Sequence, residues 1–175
     1  STSLHGDILV VDDNLANLKF MMQILNDAGY NVRPAIDGEL ALQSIKARPP
    51  EIILMDCKMP GLSGIEVCQQ LKKNPKTHNI PVIFLSALDD TEIKVKAIIA
   101  GAVDYVTKPL DPAELLVRID TQLGRARLHN NLLSQTKKLV KEIEIRKLAE
   151  QQLKDSQEKY QIINNSAMDG IIIMS

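Results

Sequence analysis

Residues 51–61 read EIILMDCKMPG. The apolar run Ile52 to Met55 has the length of a strand, and Asp56 ends it. Met59-Pro60-Gly61 then stops the strand and turns the chain. A buried run that delivers a lone carboxylate to a sharp loop makes that loop a candidate site.

The same theme recurs on either side. Apolar runs fall at DILVV (7–11), NVRPAI (31–36), EIILM (51–55), PVIFL (81–85) and DYVT (104–107), each of strand length and mostly branched or aliphatic. Between them, 14–28, 37–47, 64–73 and 90–100 have helical periodicity. Leu15, Leu18, Met22 and Leu25 predict one buried stripe, with Leu40 and Ile45, and Val67 and Leu71, hinting at others. Five βα units predict an α/β fold: a doubly wound parallel sheet covered by helices on both faces, with right-handed crossovers.

A fifth helix opens at Asp111 as N-cap with Pro112 at its first position. From there to about Asn164 there is no further Pro and one Gly, Gly124, so a helix too long for one small domain is expected, projecting from it. Alternate steps of four and three give Leu128, Leu132, Gln135, Leu139, Glu142, Arg146, Ala149, Leu153, Ser156, Tyr160 and Ile163. This is an imperfect coiled-coil seam, with a register shift suggested near 142–148 by Ile143, Ile145 and Leu148. A helix folded back on the domain is the alternative. A homodimer paired through 128–163 is favoured, because a single exposed helix would leave those leucines in water.

Composition narrows the functions. Hydrophobic residues at 45% and charged residues at 25% are ordinary globular values, while 3% aromatic and no Trp argue against a stacking surface for single-stranded nucleic acid. Residues 1–117 carry 11 Lys/Arg against 15 Asp/Glu, and residues 118–163 carry 10 against 6, so the chain changes character near 118. Without a groove-reading motif, the positive second part reads as a solvated helix face and no nucleic-acid partner is expected. No apolar run approaches membrane length and no secretory signal opens the chain, so a cytoplasmic protein is expected. Cys57 and Cys68 read as reduced thiols, and scattered His5, His78 and His129 form no zinc pattern.

In a parallel α/β sheet, ligands gather beyond the carboxyl ends of the strands. Those ends hold Asp12-Asp13, Asp56, Ser86 and Thr107-Lys108-Pro109. Singly, each could cap a helix, begin a turn or be solvated. Together on one edge they point to chemistry. Three carboxylates held close repel one another unless a cation joins them, and Mg²⁺, a hard ion with a preference for oxygen, is the natural guest. An ammonium and a hydroxyl beside them form a receptor for a phosphoryl group, for which a carboxylate can be the nucleophile.

The motifs ILVVDDN, ILMDCKMPGLSG, VIFLSA and DYVTKPLD, in this order and spacing, resemble the receiver domain of two-component response regulators over about residues 6–124. The resemblance implies a flavodoxin-like sheet of order 2-1-3-4-5. It implies that Asp56 accepts a phosphoryl group from a sensor histidine kinase or phosphotransfer protein. Asp12, Asp13, Asp56 and the carbonyl of Lys58 would hold Mg²⁺, Lys108 would bind the phosphoryl oxygens, and Ser86 and Tyr105 would form a switch pair. Lys58 and Leu88 occupy positions that tune phosphoryl lifetime in the family, and the Lys108–Pro109 bond is commonly cis there. Such a chain catalyses only its own phosphorylation and dephosphorylation.

Three other readings fit less well. A phosphatase of the haloacid dehalogenase class resembles DxD on the first strand, whereas here the pair is adjacent and the candidate nucleophile is on the third. A flavin binder would need a first loop that welcomes phosphate, and Asp12-Asp13 would repel it. His129 as a kinase phosphoacceptor lacks the expected acidic and proline neighbours. The expected organisation is a receiver domain at 1–124, a coiled-coil signalling helix at 125–164, and at 165–175 a turn and strand resembling the start of a PAS-like domain. An output domain would follow, with a hybrid histidine kinase or a cyclic-dinucleotide enzyme as the alternative setting.

Overall fold

A computed structural model describes residues 6–87 and 91–174; His5, Leu88 and the predicted start of the fourth helix at Asp90 lie outside them. The strands are β1 (Asp7–Val11), β2 (Asn31–Ala35), β3 (Ile52–Asp56), β4 (Val82–Ala87) and β5 (Asp104–Lys108). The helices are α1 (Leu15–Asp27), α2 (Gly38–Ala47), α3 (Gly64–Lys73), α4 (Thr91–Ile99) and α5 (Pro112–Met174). All strand pairs are parallel and the order is β2-β1-β3-β4-β5, as the sequence implied.

The central strands β1, β3 and β4 read as near-continuous apolar runs because both faces of the sheet are covered there. Leu9, Val11, Ile53, Met55, Val82 and Phe84 face one way, beneath Ala41 and Ile45 of α2, Val67, Cys68 and Leu71 of α3, and Ala97 of α4. Ile8, Val10, Ile52, Leu54, Ile83 and Leu85 face the other, beneath Leu18, Met21 and Leu25 of α1 and Leu115, Ile119 and Leu123 of α5. Two stripes differ from expectation. On α1 the buried methionine is Met21, with Leu15 62% exposed, and on α2 Ala41 takes the inner place expected of Leu40. In each case the neighbouring position satisfies the same 3.6-residue period, and the angle at which the helix crosses the sheet selects between them.

Local chemistry fixes the element ends. Asn14, not Asp13, caps α1, its side chain accepting from the amides of Ala16 and Asn17. Ser63 and Glu66 form a reciprocal capping box at α3. Asp111 caps α5 by accepting from the Glu114 amide at 3.0 Å. At the outer edge, β2 carries Pro34 in register with Val10 of β1.

The chain divides into two units, residues 1–128 and 129–175. Considered alone, the second is helical through Met174 and exposed at every residue from 129 to 171. Its exposed apolar residues include Leu132, Leu139, Leu153, Tyr160 and Ile163 of the expected seam. Glu142 and Arg146 pair across one turn at 3.3 Å. The turn and strand expected at 165–175 are not formed: the helix continues from Ser166 to Met174, and Ser175 lies outside the described residues. A lone strand has no ladder partner here, whereas a helix satisfies its backbone within the segment.

Candidate functional site

The carboxyl ends of β1, β3, β4 and β5 converge where the strand order reverses around β1 and β3. Asp12 follows β1 and is fully buried. One of its oxygens accepts from the Asn14 amide at 2.8 Å, and the other accepts from Asn17 Nδ2 at 3.1 Å and from Lys108 Nζ at 3.0 Å. Lys108, at the end of β5, reaches across to donate equally to Asp56 Oδ2 at 2.9 Å. The second Asp56 oxygen accepts from the Lys58 amide at 3.2 Å. The Lys108–Pro109 peptide bond is cis.

Electrostatics follow from this bridge. Burial alone would push the Lys108 ammonium down, but its hydrogen bonds to Asp56 and Asp12, with their charges, outweigh burial and hold its pKa above the ordinary lysine value. Lys108 is therefore a fixed cation at neutral pH. Asp13 completes the cluster: Asp12, Asp13 and Asp56 each offer a carboxylate oxygen, and these lie within 4.8 Å of one another. This all-oxygen, anionic donor set fits a hard divalent ion such as Mg²⁺.

Beside Asp56 lies a cavity of about 200 Å³ lined by Asp56, Lys58, Ser86, Ile93 and Lys108 among others. Ser86 is 3% exposed, and its hydroxyl has no hydrogen-bond partner among the described residues. A buried hydroxyl without a partner is costly unless something is to meet it. Cation, hydroxyl and carboxylate thus line one small space. Asp12, Asp13, Asp56, Lys58, Ser86 and Lys108 come together as the sequence implied, whereas Tyr105 is not among the cavity's lining residues and sits half-buried on β5 against the core beneath α4.

Two contributors were given no role by the sequence reading, although Gly64 closes the motif ILMDCKMPGLSG. Asn17 orients Asp12 from one turn into α1. Gly64 opens α3 directly against β3, where an added Cβ would overlap the backbone carbonyl of Asp56. The requirement for Gly there comes only from that close approach.

A doubly wound sheet with acid, lysine and hydroxyl at its carboxyl edge is the architecture of a phosphoacceptor signalling module. The family model of the response regulator receiver domain matches residues 8–120, and the chain belongs to that family. The chain is 41% identical over 116 residues to the response regulator PleD of Caulobacter vibrioides, covering 66% of this chain and 26% of PleD. It is 40% identical over 136 residues to a Vibrio cholerae protein named "Probable cyclic di-GMP phosphodiesterase", covering 78% of this chain and 31% of that one. Among solved structures, the receiver domain of NtrX from Brucella abortus superposes with a TM-score of 0.64 at 32% identity, covering 67% of this chain and 98% of that domain. The matched stretch spans from 26% to 56% of the length of such curated relatives. Receiver domains take phosphoryl groups from histidine kinases or phosphotransfer proteins and bind Mg²⁺ at an acidic pocket. No helix among the described residues is long and apolar enough to cross a membrane.

Proposed function

We propose that Asp56 is the phosphoacceptor of a signalling switch in the cytoplasm. A carboxylate oxygen of Asp56 forms the new O–P bond as the N–P bond of a phosphohistidine breaks, and the electron pair stays on the donor nitrogen. The observation that carries this reading is the Lys108 bridge, 3.0 Å from Asp12 and 2.9 Å from Asp56, beside the cavity that Lys108 and Asp56 line with Ser86 and its unpartnered hydroxyl. Lys108 would neutralise the incoming oxygens, Ser86 would donate to one of them, and Tyr105 would turn into the space Ser86 leaves. Asp12, Asp13, Asp56 and the Lys58 carbonyl would hold Mg²⁺, whose charge offsets that of the phosphoryl group.

The test is incubation with acetyl phosphate and Mg²⁺. One phosphoryl group per chain is expected by mass. Its persistence in Asp56→Asn, or formation at the full rate in EDTA, would refute the assignment.

The apolar residues exposed along 128–163 support a parallel homodimer through that segment, which α5 joins to the phosphorylated domain and which would carry the change to an output domain. A cyclic-dinucleotide enzyme is one setting for that output domain, supported by the printed name of the Vibrio relative. A hybrid histidine kinase is the other setting.

A further inference from the structure

β4 and β5 run side by side with Phe84 opposite Tyr105 and Ser86 opposite Thr107. Side chains alternate along a strand, so these four share one face of the sheet. α4 covers that face with Ala97 and, at its margin, Ile93. Ile93 also lines the cavity at Asp56, Ser86 and Lys108. Its neighbour Lys94 carries an ammonium over the Tyr105 ring, 5.2 Å from the centroid. That is within the roughly 6 Å at which a ring's quadrupole holds a cation. Both side chains are half-buried, which shields the contact from water. The next lysine on α4, Lys96, is engaged with Glu92 at 2.6 Å. The first turn of α4 therefore meets the site at two consecutive residues: one walls the cavity and the other seats a charge on the aromatic ring.

We infer that Lys94 is a positioning residue for the switch: its ammonium holds Tyr105 in the place it occupies while Ser86 has no partner, and so sets how much of the chain rests in the switched arrangement before phosphorylation. This rests on the reading of Ser86 and Tyr105 given above. When a phosphoryl oxygen draws Ser86 toward Asp56, space opens on the face that Tyr105 shares. A ring that turns into that space leaves the Lys94 ammonium. A contact made in one arrangement and lost in the other biases the equilibrium by its whole strength. For a half-buried cation on a tyrosine ring, that is about a 2- to 5-fold change in the ratio of the two states. By linkage, a phosphoryl mimic binds more tightly by the same factor once the contact is removed.

The test titrates the chain with beryllofluoride in the presence of Mg²⁺ and follows both affinity and the Tyr105 ring resonances by NMR. Lys94→Met keeps the aliphatic stem and loses the charge; Lys94→Arg keeps the charge. Lys94→Met is expected to bind the mimic 2- to 5-fold more tightly, with its free-state Tyr105 signal displaced toward the bound position, while Lys94→Arg follows the parent. Parental or weaker affinity in Lys94→Met overturns the inference, as does Lys94→Arg behaving like Lys94→Met, which would trace the effect to packing. If the Tyr105 signal of the parent does not move on mimic binding, the Ser86–Tyr105 switch fails and the Lys94 role falls with it. If it moves in the parent and Lys94→Met changes nothing, only the Lys94 role fails.

Discussion

Gly64→Ala is the substitution whose effect can be worked most directly from the geometry. A Cβ at Gly64 overlaps the carbonyl oxygen of Asp56 and meets Met55 Cγ at 3.0 Å and the Asp56 carbonyl carbon at 3.1 Å. Two of these three atoms are backbone, which cannot swing aside as the end of a long side chain would. Either α3 or the end of β3 must retreat by on the order of 1 Å to restore ordinary contact. Overpacking of this kind costs about 1–3 kcal/mol of stability. If Asp56 is the acceptor proposed above, displacing its carboxylate by a similar distance costs about 10²-fold in rate. The controls are Gly124→Ala, where an added Cβ meets nothing within 4 Å inside α5, and Gly61→Ala, also in open space but at a φ of +74°. Gly124→Ala should stabilise by roughly 0.5–1 kcal/mol through helix propensity, and Gly61→Ala should destabilise by about 1–2 kcal/mol from the left-handed backbone alone. Urea unfolding measures the first quantity, and the rate of phosphorylation by acetyl phosphate the second. A Gly64→Ala chain with parental stability and parental rate would show that the close approach to Asp56 has no consequence.

Lys108→Met removes the cation that occupies an oxygen of both Asp12 and Asp56, so Mg²⁺ should bind more tightly by calorimetry while phosphorylation slows on the order of 10²-fold; weaker Mg²⁺ binding would contradict the bridge. Tyr30 donates to Asp120 at 2.6 Å, and burial, with that bond, raises its pKa above the ordinary tyrosine value. Its folded-state value lies above the unfolded one, so its contribution is complete below about pH 10 and falls as pH rises beyond it. Tyr30→Phe should cost about 1–3 kcal/mol at pH 7 and lose that alkaline decline, as read from urea midpoints at pH 7 and 10.5. Single cysteines placed along 132–160, with Cys57 and Cys68 replaced, should crosslink in a parallel pattern that changes with beryllofluoride. A monomer at all concentrations, or an unchanged pattern, would remove the dimeric signalling role.

Legibility followed the reach of each interaction. β1 at Asp7–Val11 and α3 at Gly64–Lys73 were readable to the residue, because an apolar run and a helical stripe such as Val67 and Leu71 are written locally. The strand-end rule then brought Asp12, Asp13, Asp56, Ser86 and Lys108 to one edge. Asn17, Gly64 and Lys94 escaped it because they sit on helices and reach the site only through the packing of those helices on the sheet. Met21 was lost to Met22 because both fit the helical period. Residues 165–175 show the opposite limit: a branched apolar run signals a strand, but a strand forms only where a ladder receives it.

Pro34 in β2 has a consequence for how copies of this chain can meet. A sheet border with a full row of backbone donors is a template on which another strand can grow, and proline, lacking the amide hydrogen, breaks that row. At the opposite border, β5 opens with Asp104 bound to Arg118 at 2.8 Å, a charged pair that a docking strand would have to desolvate. Crowded copies are thereby steered away from edge-to-edge growth and the fibrous deposits it produces. Contact through helices is the route left open.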